Sequence, residues 1–401
     1  MNFFADGDLV PTAYDGKEQA YIKHELLKAY LQTLFLIIGM GGRGKKHIEL
    51  CYVDCFAGPW ADESDSLSST SIAISLQILD SCVQKLRKLG VVATVRALYV
   101  EENPTAFVRL QKFLETATPL TVQSECLCGD FVKLRQPILD WTGADAFTFF
   151  FIDPKGWTGI EPETLRPLLQ RPRSEFLVNF MYDFINRIAS MQKTKQVFAD
   201  VIGEPLDLSE LPSAEREHLL LQTYRKNLKS NTITVNRNRP PRSAHVRIMD
   251  PSKDRPKYHL VYVTTHPEGI IRFMDIFEKV DLVQKQVRAI KKNTKREAES
   301  RTKDMFGSPS LVDESAGRAS PEDVDAYWCA RLESGPVVIN REVFADILEE
   351  KDWFPSDLQE SLTRLIKSRK VVNLTLDATR RPKRPLHFEH PGGEKLSLIQ
   401  S

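Results

Sequence analysis

The sequence predicts an α/β fold in which a mostly parallel sheet is covered by helices on both faces, followed by a small α+β unit. Three observations lead to this prediction. Runs that are apolar throughout alternate with stretches of helical periodicity, four successive apolar runs end on an acid, and a segment rich in Gly, Ser and Pro precedes the C-terminal part. Apolar strands that alternate with helices are typical of parallel sheets buried on both faces.

The composition of the 401-residue chain is ordinary for a globular protein, with 42% hydrophobic and 27% charged residues. A formal net charge of +1 excludes a globally basic nucleic-acid binder, although local basic patches remain compatible with it. The six cysteines show no C-x-x-C spacing, and no signal peptide precedes them. We therefore expect reduced cysteines in a soluble cytoplasmic protein.

The N-terminal part is predicted to hold a flexible arm over residues 1–16 and an amphipathic helix over 17–38, because apolar residues recur there at helical spacing. Residues 39–46 then match the G-x-x-x-x-G-K pattern of a phosphate loop. Lys46 stands where such a loop needs Ser or Thr, and a helix precedes it where a strand is needed. A plain basic loop is the favoured interpretation, and a nucleotide hydrolase stays open as an alternative.

Seven apolar runs are predicted to be the strands of the sheet. They are residues 49–54, 91–100, 120–128, 146–152, 176–181, 244–249 and 258–265. Helices are predicted between them over 72–89, from Pro104 onward and over 214–227, and after them over 269–280. The two late strands would close the sheet as a hairpin-like pair.

Four strands in succession end on an acid: Asp54, Glu101, Asp130 and Asp153. A single acid there is explained by helix capping, but four at regular spacing favour a cofactor lying across the carboxyl ends of the strands. The turn after Asp54, through Phe56, Ala57 and Gly58, supplies one glycine where a nicotinamide enzyme would use three. S-adenosylmethionine therefore fits this pattern better than a nicotinamide or ATP.

Each acid has an expected role toward this cofactor. Asp54 would sit near its amino-acid end, with the backbone of Ala57 and Gly58 passing close beneath. Glu101 could accept both ribose hydroxyls, and Asp130 could accept a hydrogen bond from the adenine amino group. Asp153 and Pro154 would face the methyl group and the substrate.

The order Asp54-x-Phe56-Ala57-Gly58, Glu101-x-x-Pro104, Gly129-Asp130 and Asp153-Pro154 resembles the motifs of class I S-adenosylmethionine-dependent methyltransferases, which have a Rossmann-like sheet. More narrowly, segments 23–27, 52–60, 151–157 and 178–181 resemble the three-Cys-motif partner (TcmP) family. This likeness covers roughly residues 17–280. The family consists of bacterial proteins encoded beside a cysteine-motif protein that resembles radical enzymes. The resemblance implies a methyltransferase-like domain over 17–304 and a protein partner. The chain departs from the general methyltransferase turn at Pro59 and Trp60, where further glycine is usual.

The segment Asp153-Pro154-Lys155-Gly156-Trp157 is similar to the Asp-Pro-Pro-Tyr turn of amino-group methyltransferases, in which an aromatic ring stacks on the base. Asp153, Pro154 and Trp157 are the predicted catalytic residues. The alternative is that Pro154 and Trp157 only shape the loop. Lys23, Lys155 and Tyr182 are the predicted substrate-binding residues. Cys51 and Cys55 are placed on a strand adjacent to that of Cys126 and Cys128, but they lack the third ligand of an iron–sulfur loop, so no metal is predicted.

A linker over 305–319 precedes a predicted winged-helix-like domain over 320–401. Asn340 is expected to cap one helix, and Ser356 with Gln359 a second. Strands are expected over 371–376 and 386–389, joined by a basic turn with Arg380, Arg381, Lys383 and Arg384. Such a wing could contact a nucleic-acid backbone, and docking to a protein is the equally weighted alternative.

These observations lead to two hypotheses of different classes. The first is an S-adenosylmethionine-dependent methyltransferase that acts on a nucleic acid or a nucleic-acid-associated target, together with a neighbour-encoded partner. The second is a non-catalytic scaffold that keeps the methyltransferase fold and binds a radical-type or phage-related protein. Cofactor binding that depends on Asp54 and Glu101 discriminates between them.

Overall fold

The computed structural model describes residues 10–44, 47–58, 70–189, 191–234, 239–300, 315–376 and 384–399, with the backbone alone at 192 and 294–300. The strands are β1 Ile48–Asp54, β2 Ala93–Glu101, β3 Val122–Cys128, β4 Phe147–Ile152, β5 Ser174–Phe180, β6 Arg242–Met249, β7 Pro256–Thr264, β8 Val337–Ile339, β9 Val371–Asn373 and β10 Glu394–Leu398. The helices are α1 Glu18–Met40, α2 Ser71–Lys88, α3 Pro104–Ala117, α4 Phe131–Thr142, α5 Pro162–Leu169, α6 Tyr182–Ala189, α7 Lys195–Ile202, α8 Ser213–Asn231, α9 Pro267–Ser300, α10 Pro321–Glu333, α11 Arg341–Lys351 and α12 Pro355–Lys367.

The first seven strands form one sheet in the order β3-β2-β1-β4-β5-β7-β6. Strands β1 to β5 run parallel, and β7 pairs antiparallel with both β5 and β6. The predicted α/β sheet is therefore confirmed, including its hairpin-like closing pair. Because the chain moves outward from β1 to β3 and then returns to β4, the topological switch point lies between β1 and β4, where ligands of open α/β sheets bind.

The central strands β1, β4 and β5 are buried over almost their whole length because both faces of the sheet are covered. Leu50 and Tyr52 of β1 belong to the apolar cluster that also contains buried residues of α1, α2 and α9. Val53, the next residue in β1, belongs to the opposite cluster, which contains residues of α4 to α8. Successive side chains of a strand point to opposite faces, so burial on both sides replaces the alternating polar pattern of a half-exposed strand.

The C-terminal unit consists of α10, β8, α11, α12, β9 and β10, and its three strands form an antiparallel sheet in the order β8-β10-β9. The unit packs against α9 and the edge strand β6, and its buried residues continue the cluster beneath α1. Buried Arg225 on α8 joins the two parts, because its guanidinium donates to Asp352 at 2.8 Å and to the Glu349 carbonyl at 2.9 Å.

Two local predictions in the C-terminal unit are wrong. Residues 386–389 do not form a strand, because the buried Phe388 ring stacks on Phe344 at 3.9 Å and the last strand is Glu394–Leu398 instead. Ser356 does not cap α12, which begins after Phe354 with the Asp357 carboxylate accepting the Phe354 N–H at 2.9 Å. The hydroxyl of Ser356 donates instead to Glu278 on α9.

The predicted placement of the cysteines on adjacent strands is wrong. Cys51 and Cys126 lie on β1 and β3, and β2 lies between these strands. Within the described residues, no group of three or more His, Cys, Asp or Glu side chains could hold a metal ion. Gly39 lies in the last turn of α1, and the loop leads into β1, so the strand–loop–helix context of a phosphate loop is missing. Lys45 and Lys46 lie outside the described residues. Among the described helices, none is long and apolar enough to cross a membrane.

Candidate active site

A cavity of about 860 Å³ opens at the carboxyl ends of β1 to β4, on the side of the sheet where the topology changes direction. All four of those strands contribute to its wall through the loops that follow them. The residues that line the cavity include Phe56, Gly58, Glu101, Arg109, Asp130, Phe131, Asp153, Pro154, Lys155, Gly156 and Gly159. The volume lies within the range of sites that hold a small molecule or cofactor.

Glu101 and Gly58 lie very close to each other in the wall of this cavity. One carboxylate oxygen of Glu101, Oε1, accepts the Asn103 N–H at 2.7 Å, whereas the buried Oε2 has no hydrogen-bond partner within the described part of the chain. A Cβ atom at position 58 would lie 1.5 Å from Oε2, so any residue larger than glycine would force this carboxylate to move. A buried acceptor without a partner is costly in the free protein and fits a hydroxyl donor supplied by a ligand.

Asp54 lies beneath the turn, and its side chain does not line the cavity. Its Oδ1 accepts the Phe56 N–H at 3.2 Å and its Oδ2 accepts the Ser71 hydroxyl at 3.1 Å, which ties the end of β1 to the start of α2. Complete burial raises the pKa of Asp54 to about 7, and the nearby charge of Asp153 acts in the same direction. Ala57 is also buried in this turn, where its N–H donates to the Val100 carbonyl at 2.8 Å.

Asp130 and two phenylalanines form the far wall of the cavity. The Oδ1 atom of Asp130 accepts the Val132 N–H at 2.7 Å and the Lys133 N–H at 3.2 Å, so the residue caps α4. Its second oxygen can still face a ligand amino group. The Phe56 and Phe131 rings lie 5.0 Å apart, and Gly159 (φ +91°) leaves room for Phe56, whose Cζ would be 2.9 Å from an added Cβ.

Asp153 is held from two sides at the end of β4. Its Oδ2 forms an ion pair with the Lys23 ammonium of α1, and its Oδ1 accepts the Asn179 side-chain N–H of β5 at 2.5 Å. The next residue, Pro154, is buried against the cavity wall, whereas Lys155 is exposed at its rim. The structure thus brings the predicted residues Lys23, Asp153 and Pro154 together.

Two predicted residues lie away from the cavity. Trp157 is partly buried in the apolar cluster under α6, with its ring 6.2 Å from Phe184. Tyr182 begins α6 and is buried against the His259 ring, 5.6 Å away, and burial raises the pKa of its hydroxyl. Neither residue is among those that line the cavity.

Sequence reasoning did not single out three contributors to the site. Arg109 on α3 lines the rim, Asn179 orients Asp153, and Tyr258 on β7 places its ring 5.9 Å from the Lys23 ammonium. Asn179 carried a usable signal, since a polar residue inside an otherwise apolar strand needs a hydrogen-bond partner. Arg109 and Tyr258 carried none, because only the fold brings Arg109 to the cavity and Tyr258 to Lys23.

The strand order, with an antiparallel strand next to the edge, defines the fold as the Rossmann-like sheet of class I methyltransferases. No family model matches the chain, and neither does any curated protein. Solved structures that it is similar to include a loganic acid methyltransferase with SAH, at 9% identity and a TM-score of 0.28, covering 91% of this chain and 92% of that one. Another is PKMT2 from Rickettsia typhi, at 11% identity and a TM-score of 0.27, covering 80% and 68%. At these scores neither likeness bears on function.

Proposed function

We propose that this chain is an S-adenosylmethionine-dependent methyltransferase. The observation that supports it most is the unpartnered Glu101 Oε2 beside Gly58, inside a cavity at the switch point of the sheet. A carboxylate at the end of the second strand accepts ribose hydroxyls in nucleoside-binding α/β sheets, and a glycine opposite it lets the ligand approach the backbone.

The residues present fit this cofactor from one end to the other. Glu101 would accept a hydrogen bond from a ribose hydroxyl, and Asp130 would accept one from the adenine amino group. The Phe56 and Phe131 rings would cover the base. Asp54 would fix the turn under the amino-acid end. The bound cofactor supplies a methyl group on a sulfonium. The protein's contribution is then to exclude water and align an acceptor, and alignment requires no metal or catalytic triad.

We further propose that the target is a nucleic acid or a nucleic-acid-associated molecule, and that the chain belongs to the three-Cys-motif partner family with a neighbour-encoded partner protein. Support for the target comes from the C-terminal unit, whose strand and helix order is that of a winged helix. Lys367 at the end of α12 is exposed, as are Arg369 and Lys370 after it; Arg384 is also exposed and lies 3.6 Å from Glu389. Arg364 is instead paired with Asp325, and Arg380, Arg381 and Lys383 lie outside the described residues.

The test is transfer of a tritiated methyl group from S-adenosylmethionine to the nucleic acids and proteins of a bacterial lysate, followed by nuclease or protease digestion. We expect label that nuclease releases, and we expect Glu101→Ala to reduce it. A triple charge reversal, Lys367→Glu, Arg369→Glu and Lys370→Glu, should weaken binding to a duplex probe and lower its salt dependence. Label that resists nuclease and is released by protease would place the target among proteins.

The scaffold remains the second candidate, and one observation favours it. Trp157 and Tyr182, expected at the substrate mouth, are packed away from the cavity. A scaffold would neither bind S-adenosylhomocysteine through Glu101 nor transfer label to any nucleic acid or protein fraction. It would still be recovered with the partner protein.

A further inference from the structure

Asp153 lines the cavity at the end where the methyl group of the proposed cofactor would lie, here called the methyl end. It forms an ion pair with Lys23 that the proposed function does not by itself require. The Lys23 ammonium contacts Asp153 Oδ2, and both side chains are largely shielded, with 13% and 18% of their surfaces exposed. The Asn179 amide donates to the other oxygen, Oδ1, at 2.5 Å. Both oxygens of the one acid at the reactive end of the site therefore already accept a hydrogen bond from the protein.

Lys23 reaches Asp153 because α1 is anchored around it. The Tyr258 hydroxyl of β7 donates to the Gln19 carbonyl at 2.7 Å, and the Tyr258 ring lies 5.9 Å from the Lys23 ammonium. The neighbouring residue, His24, is bonded through Nδ1 to the Tyr14 hydroxyl at 2.9 Å. Burial lowers the pKa of His24 to about 3, so this ring is neutral and does not compete with Lys23 for the carboxylate. Lys23 is thus placed by residues far from it in sequence.

We propose that Lys23 is a positioning residue, which holds Asp153 as a fixed hydrogen-bond acceptor at the methyl end, and that the methyl acceptor is a neutral amino nitrogen. This inference rests on the proposed function. An ionised carboxylate accepts hydrogen bonds and donates none, so the acceptor must bring an N–H or O–H. A proton taken up by Asp153 would leave the half-buried Lys23 charge without its partner, which is costly.

That cost decides between nitrogen and oxygen. A hydroxyl must lose its proton to a base during attack, and Asp153 is committed to Lys23 and Asn179. A neutral amino nitrogen can attack with its own electron pair before it loses a proton. That pair would form the N–C bond as the S–C bond broke, the S–C electron pair would stay on sulfur, and the proton would leave nitrogen for solvent. Asp153 needs only to orient one N–H so that the lone pair faces the methyl carbon.

The role of Lys23 can be measured without a known acceptor, by calorimetric titration with two cofactor analogues. S-adenosylhomocysteine carries no group at the methyl position, whereas sinefungin carries a primary amine there, which is protonated near neutral pH. The ratio of the sinefungin affinity to the S-adenosylhomocysteine affinity therefore reports on the charge that faces this position. In wild type, Lys23 competes with the sinefungin ammonium for Asp153.

Lys23→Met should leave the affinity for S-adenosylhomocysteine within about twofold and raise the affinity for sinefungin about tenfold, because an ammonium can then pair with Asp153. Lys23→Arg should restore the wild-type ratio. Lys28→Met, an exposed lysine of the same helix, is the matched control and should leave the ratio unchanged. Asp153→Asn should lower the ratio by a similar factor.

The outcomes separate this inference from the function beneath it. If S-adenosylhomocysteine does not bind wild type, the cofactor assignment fails, and the role of Lys23 fails with it. If S-adenosylhomocysteine binds but Lys23→Met leaves the ratio as Lys28→Met does, only the role of Lys23 is overturned. Should Lys23→Met fail to fold, Lys23→Gln and Asp153→Asn carry the same test.

The chemical class of the acceptor is tested on the labelled product. Hydrolysis and chromatography should place the tritiated methyl group on an exocyclic amino nitrogen. Label on a ribose hydroxyl, or label lost in mild alkali as a methyl ester, would overturn the amino assignment while leaving the methyltransferase assignment intact.

Discussion

The cavity and the junction with the C-terminal unit each contain an aspartate with a shifted pKa, and the two shifts are opposite in direction. Asp54, under the cavity, has a pKa raised to about 7 by burial, with no cation in hydrogen-bond contact. For Asp352, at the junction, burial acts in the same direction, but its interactions with His245 and Arg225 lower the pKa to about 2. Asp352 therefore has an arginine and a histidine as partners where the two parts are joined. Asp54, under the candidate cofactor site, has no cation in hydrogen-bond contact among the described residues.

The charged groups of the two regions differ in the same way, although Arg242 Nη1 and Ser243 Oγ at the junction also lack a hydrogen-bond partner among the described residues. At the junction, Arg242 pairs with Glu342 and Asp346, and Lys229 pairs with Glu349. In the cavity, Glu101 keeps one buried oxygen without a partner among the described residues. Functional sites are where such unsatisfied groups are expected, since a ligand completes them. The comparison therefore favours a structural role for the junction, where the charged groups are paired, and supports the proposed binding role of the cavity.

The largest effect is expected at the junction. Arg225→Met leaves the partly buried Asp352 carboxylate without its arginine partner and should lower the free energy of unfolding by about 3–5 kcal/mol. The measurement is a thermal and denaturant unfolding series. Lys226→Met, which removes an exposed cation on the same helix, should change stability by less than about 1 kcal/mol. Equal effects of the two variants would remove the distinction between the regions.

Asp54 should impose a pH dependence of the opposite sign to that of a paired aspartate. The folded protein keeps the Asp54 proton up to about pH 7, whereas the unfolded chain releases it near pH 3.8, so this group destabilises the fold as pH rises through that window. Asp54→Asn should remove a term on the order of 4 kcal/mol at pH 8. The stability difference between variant and wild type should therefore grow between pH 4 and 7 and then level.

Thermal unfolding at a series of pH values measures this difference directly, and the buried histidines cancel because both proteins contain them. Asp140→Asn, on the exposed face of α4, is the control and should give a flat difference. A flat difference for Asp54→Asn as well would mean that Asp54 is charged in the folded protein and that its burial is compensated.

A smaller effect is expected from Gly58→Ala, which sharpens the comparison on the cavity side. The new methyl group would overlap Glu101 Oε2 and displace the carboxylate. Affinity for S-adenosylhomocysteine should fall about 100-fold, equivalent to about 2.7 kcal/mol, while the melting temperature changes little. Gly156→Ala, in the same cavity but with no atom within 4 Å of the added Cβ, is the matched control. Equal losses in both variants would contradict the close approach at Gly58.

The sheet was predictable because parallel strands buried on both faces are continuous apolar runs, and because their acids recur at the carboxyl ends. Short helices such as α5 and α7 were missed, since eight residues give too little periodicity to recognise. Residues 386–389 were misassigned because alternating Leu386 and Phe388 match a strand, although both are buried as loop anchors. Alternation records burial on one side, and a loop can produce it as well as a strand.

Within the site, Asp54, Glu101, Asp130 and Asp153 could be located from the sequence, but not what each one contacts. The Lys23–Asp153 pair spans 130 residues, and nothing local to either residue signals it. The hydroxyl that donates to Asp54 likewise comes from Ser71, 17 residues further along the chain. Sequence pattern places residues on elements, whereas charge pairing and burial are properties of the assembled fold.

The central claim is that the cavity binds S-adenosylmethionine through Glu101, and calorimetric titration with S-adenosylhomocysteine tests it most directly. Wild type should bind with micromolar affinity, about −8 kcal/mol. Glu101→Ala should weaken binding by about 1–3 kcal/mol, because a ribose hydroxyl loses its acceptor. Absence of binding by wild type, or unchanged affinity in Glu101→Ala, would contradict the account.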